Sequence, residues 1–486
     1  MKKIYTILLL SSCLIATSCS DWLNVAPSNQ VNEDELFSNG EGYRSALNGV
    51  YLSLGTSSMY GSALSWGFMD VIAQYYLSDS KYLPTYSSYY KAAKYQFDDK
   101  DVKSIISNIW STSYNDIANC NNLIAHVSVA SPSVFAEREF EQNMIWGEAL
   151  GLRAMIHFEI LRMFAPAMMK DDGKAYIPYN ESHPTIIPSY LSNSDILTKV
   201  IRDLKDAKEK LAKCDIIDEY KGWMSVNQRM LSQGRSDKLA EDIFFAYRGY
   251  RMNYYAITAM LARVYCWKGD YELAYNEAKE VVDVTYSNGS SVVSCFNFAP
   301  AATLGTNLKD YNSIIMCFFN KTLQEDYQPF ISNGNLTTLM LDKDKIFGTE
   351  LKNEDHRLKF QVTTIEANSY SLKYDIKKGT DGTDMIPAIR LSEMYYIMGE
   401  YFARNSNFSQ AGKMLDKVRY ERGIITTNLE SSVGSLEGFH TELLKEARKE
   451  FMGEGQMFFQ YKRLDKKPDD LASAIFVFDK PDSEDI

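Results

Sequence analysis

Apolar residues recur at helical spacing along most of the chain, with polar residues filling the opposite face. Between Glu33 and Leu54 the apolar set is Leu36, Phe37, Tyr43, Leu47, Val50 and Tyr51, and Asn39-Gly40 interrupts it. That period of three and four predicts helix on both sides of the break. From Ile105 to Val127 the set is Ile106, Ile109, Trp110, Tyr114, Ile117, Cys120 and Ile124. Phe140 to Phe164 repeats the theme and must stop before Pro166, which cannot continue a helix. Ile196 to Leu211 is amphipathic, and its Lys/Asp-rich side from Lys199 to Lys213 reads as a solvated face supported by charges four residues apart.

A finer grammar appears from Asn253 to Val282. Ala259, Ala262, Tyr265, Gly269, Tyr271, Ala274 and Ala278 alternate small and large residues as a tetratricopeptide repeat does. In such a unit the small residues let two antiparallel helices approach closely, with Gly269-Asp270 as the turn. A second copy runs from Arg390 to Val418, with Glu393, Tyr396, Gly399, Tyr401 and Ala403 before Asn405–Phe408 and Ala411, Leu415 and Val418 after it. Trp110–Ile124 and Ile145–Phe164 are degenerate helices of the same kind. The copies are far apart, so the expectation is a mainly α scaffold of tetratricopeptide-like helix pairs, with long loop-rich insertions and little β structure. The insertions are Leu77–Phe97, rich in tyrosine, Val284–Gln328, with Phe296, Phe298, Tyr311, Phe318 and Phe319, and the turn cluster Gly379–Asp384. Long loops on a rigid frame are where binding residues concentrate.

The amino terminus breaks the pattern. Lys2 and Lys3 precede an apolar run from Ile4 to Ile15, and Ala16, Thr17 and Ser18 lead into Cys19. That order predicts a secretory signal over residues 1–18, with a run too short to cross a bilayer as a mature helix. A Cys directly after the small residues is the bacterial lipoprotein pattern, although Ala16 stands where such sites usually carry Leu. Cleavage would leave Cys19 as the acylated first residue, and residues 19–486 are then expected to form one domain anchored to a membrane rather than spanning it. Of seven cysteines, Cys13 leaves with the signal and Cys19 takes lipid. The remaining five, with no C-x-x-C, read as buried thiols, mostly on helices such as those of Cys120 and Cys266, not as a disulfide framework.

Charge and composition exclude several functions. The net charge is −11 over 486 residues, against nucleic acid and against charge-driven binding to anionic lipid. The five histidines, at 126, 157, 183, 356 and 440, do not pair at metal-ligand spacing, and no H-E-x-x-H, G-x-S-x-G or phosphate-cradling loop occurs. No catalytic residue, metal or cofactor is therefore assigned. The 33 tyrosines are the unusual count. A sugar presents C–H faces to an aromatic ring and hydroxyls to polar neighbours, and rigid Tyr or Trp beside charged side chains supplies both. The candidate ligand platform is Tyr82, Tyr86, Tyr89 and Tyr90, among Asp79, Lys81 and Lys91, with Trp66 and Asp70 upstream on the same surface. The competing reading is that these tyrosines pack the loop onto the scaffold.

Several segments together resemble the SusD/RagB family, surface nutrient-binding lipoproteins of Bacteroidetes. They are Cys19-Ser20-Asp21-Trp22-Leu23 with Pro27; Glu148-Ala149 with Leu152-Arg153-Ala154, Phe158, Leu161 and Phe164; the repeat from Tyr255 to Glu280; and Leu415–Arg419 with Arg422-Gly423. The most specific is Glu446-Ala447-Arg448-Lys449-Glu450-Phe451, then Gly453-Glu454-Gly455-Gln456, then Lys462-Arg463. Ala447, Gln456 and Gln460 depart from the family's signature there, and Ile475–Pro481 resembles its closing β-like segment in weakened form. The resemblance implies four tetratricopeptide-like helix pairs against a loop-rich half. It also implies a lipoprotein on the outer membrane, facing the cell exterior, that captures a glycan or related nutrient for a SusC-like TonB-dependent transporter. The signature around Glu450, Glu454, Lys462 and Arg463 is read as a conformational lock, and Glu148 with Arg153 as a buried structural pair. Two other functions stand beside this one: a repeat-based adaptor lipoprotein that binds protein without its own glycan site, and a lipid-anchored hydrolase.

Overall fold

The computed structural model describes residues 33–484, apart from positions 80, 82, 187, 288, 290, 332–336, 349–353, 376, 469–470 and 472. The expected signal over 1–18, the lipid-bearing Cys19 and Tyr82 lie outside the described residues. The principal helices are α1 (Gly40–Leu54), α2 (Phe68–Ile72), α3 (Ser88–Ala93), α4 (Lys100–Val129), α5 (Arg138–Phe164), α6 (Asn193–Ala212), α7 (Tyr254–Lys268), α8 (Tyr271–Asp283), α9 (Leu391–Arg404), α10 (Phe408–Glu421), α11 (Leu436–Glu450) and α12 (Met457–Arg463). Among the described residues no helix is long and apolar enough to cross a membrane.

The local signals act as the sequence predicts. Asn39, at the break in the first periodic stretch, is the N-cap of α1, where its side chain accepts from the Gly42 N–H. Asn253 caps α7 by accepting from Ala256, and Gly269, at φ 95°, closes it. Ala259, Ala262, Ala274 and Ala278 are fully buried between α7 and α8, as the repeat requires. On α9, Gly399 lies so close to α10 and α11 that an added Cβ would be 3.3 Å from the Ala411 carbonyl oxygen and 2.9 Å from the Phe439 ring. Packing runs in series from α4 to α5, α6, α7, α8, α9, α10 and α11, so each helix covers its neighbour's apolar stripe. The fold is thus mainly α, with stacked helix pairs separated by insertions.

Among the described residues the strands form four antiparallel two-stranded sheets. Only one is buried on both faces: β5 (Ile314–Phe319), inside the second insertion, pairs with β8 (Met385–Arg390), matching Ile314 to Arg390 and Phe319 to Met385. The others are β1 (Ala175–Pro178) with β2 (Tyr190–Ser192), β3 (Thr285–Ser287) with β4 (Val292–Ser294), and β6 (Val362–Ile365) with β7 (Asn368–Ser371).

Three sequence readings are corrected. Glu148 and Arg153 do not pair: five residues apart on α5 they point about 140° apart around the helix. Arg153 instead donates to Asp203 at 2.7 Å and Asn121 at 3.0 Å, while Glu148 binds Arg248 and, at 2.9 Å, Arg251. All five remaining cysteines are buried and free, but only Cys120 and Cys266 lie on helices. Residues 475–480 form no strand; Phe478 is held by its ring against Phe458 and by one N–H bond to the Met163 carbonyl, 3.1 Å.

The C-terminal signature builds a buried ion-pair network in the interior. Glu454 accepts from Arg390 at 2.7 Å and Lys373 at 2.5 Å; Glu450 accepts from Arg422 at 3.0 Å and Arg357 at 3.2 Å; Glu446 takes Arg357 at 3.0 Å. All of these side chains are buried. Burial pushes the Glu450 carboxyl up, but the Arg422 and Arg357 guanidiniums outweigh it and hold it well below the usual carboxylate range. Of the departures from the signature, Gln456 accepts from Arg162 at 3.2 Å and Gln460 from Arg463 at 2.9 Å, so neutral amides fill these positions with hydrogen bonds.

Candidate ligand-binding face

The tyrosine-rich insertion is pinned at both ends, which fixes what it exposes. Leu83 is fully buried, its N–H bonded to the Asp79 carbonyl at 3.0 Å, and Ser87 then caps α3 by accepting from Tyr90 at 3.1 Å. At the far end Tyr95 adopts φ 59° and donates its hydroxyl to the Ile72 carbonyl at 2.7 Å. Lys91 spans to Asp99 at 2.9 Å and Asp101 at 3.2 Å, tying α3 to the start of α4.

Within this frame the tyrosines differ. Tyr86 is 64% exposed at the crest of the turn. Tyr89 and Tyr90 are half-buried in the first turn of α3. The Tyr89 ring meets Phe330 with centroids 5.8 Å apart, and its hydroxyl contacts the Ser62 side chain; burial raises its pKa, so at neutral pH it keeps its proton. Lys94 lies 5.6 Å above the Tyr90 ring and donates to Ser78 at 3.2 Å.

Trp66 and Asp70 do not share that surface, and the expectation for them is corrected. Trp66 is 1% exposed, wedged against Phe330 and Tyr327 at 5.0 Å from each. Asp70 is fully buried and accepts from the backbone N–H groups of Gly453 at 2.6 Å and Gly455 at 3.0 Å. The carboxylate therefore ties α2 to the signature loop. Gly455, at φ 68°, is required there, because a Cβ would lie 2.0 Å from the Leu64 carbonyl oxygen.

Three depressions lie in series across this side. The central one, about 140 Å³, is lined by Ser57, Ser58, Ser62, Tyr89, Ile105 and Asn108. Ser57 also borders a depression of about 210 Å³ over Gly55, Phe319, Asn320, Lys321 and Asp326. Asn108 also borders one of about 460 Å³ between α4 and residues 479–484, where Trp110 donates to Glu484 at 3.3 Å. Phe319 is 39% exposed and continues through Tyr250 to Tyr247, with centroid spacings of 6.4 and 6.0 Å. The trough thus sets aromatic rings beside hydroxyl, amide and charged groups, a combination suited to a polyhydroxylated ring. A larger cleft of about 840 Å³ lies elsewhere, over Glu354, Arg419, Asn428, Glu442, Lys445 and Lys449; its lining is charged and its one aromatic side chain, Phe347, is buried.

Ser57, Asn108 and Phe319 come from three separate stretches of chain, and no local motif marks Ser57 or Asn108 as lining residues. Phe319 carries the only earlier signal, as one of the aromatics of the second insertion.

Residues 361–474 match the model of the SusD family, and residues 79–219 match a family described as starch-binding and associating with the outer membrane. No curated protein matches the chain. Among solved structures, a SusD superfamily protein of Bacteroides thetaiotaomicron superposes with a TM-score of 0.65 at 22% identity, covering 92% of this chain and 93% of that one. A putative sugar binding protein of Bacteroides vulgatus gives 0.66 at 21%, covering 91% and 93%, and a SusD-like carbohydrate binding protein of the same species 0.61 at 17%, covering 88% and 84%. These likenesses establish the fold. The two matched stretches together take in the tyrosine insertion and the C-terminal signature.

Proposed function

Because the chain belongs to the SusD family, we propose that it captures an oligosaccharide or related nutrient in the tyrosine-bearing trough and delivers it to a SusC-like TonB-dependent transporter. It does so from the outer membrane, anchored by lipid on Cys19 and facing the cell exterior. The observation that carries the reading is the trough itself, in which Tyr89 and Phe319 offer ring faces and Ser57, Ser62, Asn108 and Lys321 offer hydrogen-bonding partners, with Tyr86 exposed on the same insertion as Tyr89. The description of the matched family supports glycan as the ligand class and the outer membrane as the location. Two structural neighbours, a putative sugar binding protein and a SusD-like carbohydrate binding protein, support the same class. The transporter partner rests on the family membership.

The role needs no bond chemistry: capture requires complementary surface, and release requires only that the transporter compete for the ligand. A broad array of oligo- and polysaccharides, run with purified protein, is expected to give binding to at least one class. Copurification from outer membranes is expected to recover a large β-barrel transporter. Absence of both results would overturn the proposal, and recovery of the transporter with no glycan bound would favour the adaptor reading.

A further inference from the structure

The fold brings together three side chains that sequence spacing keeps apart. Glu33 lies in a short helix at the start of the described chain, His126 in the last turn of α4, and His183 in the connection from β1 to β2. His183 Nε2 stands 2.8 Å from Glu33 Oε1, His126 Nε2 stands 3.4 Å from the same oxygen, and one ligand atom from each residue lies within 4.8 Å of the others. We propose that Glu33, His126 and His183 form a binding site for a divalent transition-metal ion of the zinc class.

His126 Nδ1 faces the Asn122 carbonyl at 3.0 Å, so its proton belongs there and Nε2 turns its lone pair toward Glu33. The imidazole is clamped flat against Phe37, with centroids 4.1 Å apart and planes 13° from parallel. With the proton on Nδ1, an imidazole lone pair and a carboxylate oxygen face each other at 3.4 Å, an arrangement that a cation held between them would satisfy. Ligands at about 2.0–2.1 Å from a tetrahedral ion lie roughly 3.3–3.4 Å apart, which matches that separation. His183 at 2.8 Å is at hydrogen-bond distance and would retreat by about half an ångström to join the same sphere.

Two imidazoles and one carboxylate suit Zn²⁺, Ni²⁺ or Cu²⁺, whereas Ca²⁺ and Mg²⁺ favour all-oxygen cages. The side chains are 23–44% exposed, so an ion can enter from solvent and keep a position open to water. Its structural effect would be to fasten the start of the scaffold to α4 and to the β1–β2 connection.

The test uses the purified protein without a histidine tag. Titration with Zn²⁺ is expected to show one equivalent bound, and Co²⁺ in its place is expected to give visible absorption bands of a tetrahedral site. Glu33→Gln, His126→Ala and His183→Ala should each weaken Zn²⁺ by at least the roughly 10- to 100-fold seen when outer-shell partners are lost. His183→Gln keeps a hydrogen-bond donor for Glu33 but not an imidazole, so its metal-free melting temperature should match the native protein while Zn²⁺ binding falls. Glu35→Gln, on the same short helix, should bind as the native protein does. Equimolar Zn²⁺ binding that survives in the His126→Ala/His183→Ala double variant, or none in the native protein, would overturn the proposal. In the second case a proton alone bridges these groups.

Discussion

The signature interior and the tyrosine trough use polar chemistry in opposite ways. Around Glu450 and Glu454, four cations, Arg357, Arg422, Lys373 and Arg390, are buried with the two carboxylates and every charge faces its opposite. In the trough, hydroxyls and amides are left half-exposed beside aromatic faces that the scaffold does not consume. A buried, fully paired network fixes one conformation and offers nothing to a ligand, whereas partly satisfied groups held on rigid supports can exchange water for a guest. Asp70 shows the boundary: it sits two turns of chain from the tyrosine insertion, yet its carboxylate belongs wholly to the interior.

Substitutions should separate the two regions. Glu450→Gln leaves Arg422 and Arg357 without their shared anion and is expected to cost about 3–5 kcal/mol, read as a lower urea midpoint. Acid should act next. His157 is fully buried, stacked on Tyr179 at 3.8 Å, and accepts from the Asn180 N–H at 3.0 Å; burial drives its pKa down to about 3. Its folded value lies below the unfolded one of about 6.5, so between them the unfolded chain binds the extra proton. The contribution is complete above about pH 6.5 and fades as pH falls toward 3, by about 2–3 kcal/mol at pH 4.5. Between pH 7 and 5 the buried Asp116 carboxyl, which burial pushes up to about 6, titrates as well, so the His157 contribution is read as a difference: over that range the urea midpoint should fall by more in the native protein than in His157→Gln. Asp70→Ala strands two buried N–H groups and should cost about 1–3 kcal/mol of stability while leaving glycan affinity unchanged. Affinity loss at Asp70 without stability loss would return it to the ligand site.

The sequence made the scaffold legible because helical period, caps and small residues are local signals. Ala259, Ala262, Ala274 and Ala278 announced a close helix pair, and the break at Asn39-Gly40 announced where a helix begins. What stayed hidden depends on contacts across the chain. Glu148 and Arg153 were near each other in sequence, but their partners lie at Arg248 and Asp203. Trp66 looked like a platform until Tyr327 and Phe330 closed over it. The β5–β8 pairing and the Glu33–His126–His183 cluster join segments with no shared motif. Of the tyrosines singled out, the sequence could not rank Tyr86 above Tyr90, because exposure is decided by the buried Leu83 and by the cap at Ser87.

The most direct measurement is calorimetric titration of the best array glycan into native protein, Tyr86→Ala and Tyr89→Ala, with thermal melts of each. Tyr86, 64% exposed, should lose affinity with an unchanged melt, and each anchoring ring should be worth about 1–3 kcal/mol of binding. Native affinity in the Tyr86→Ala/Tyr89→Ala double variant would contradict the account and move the ligand away from this trough.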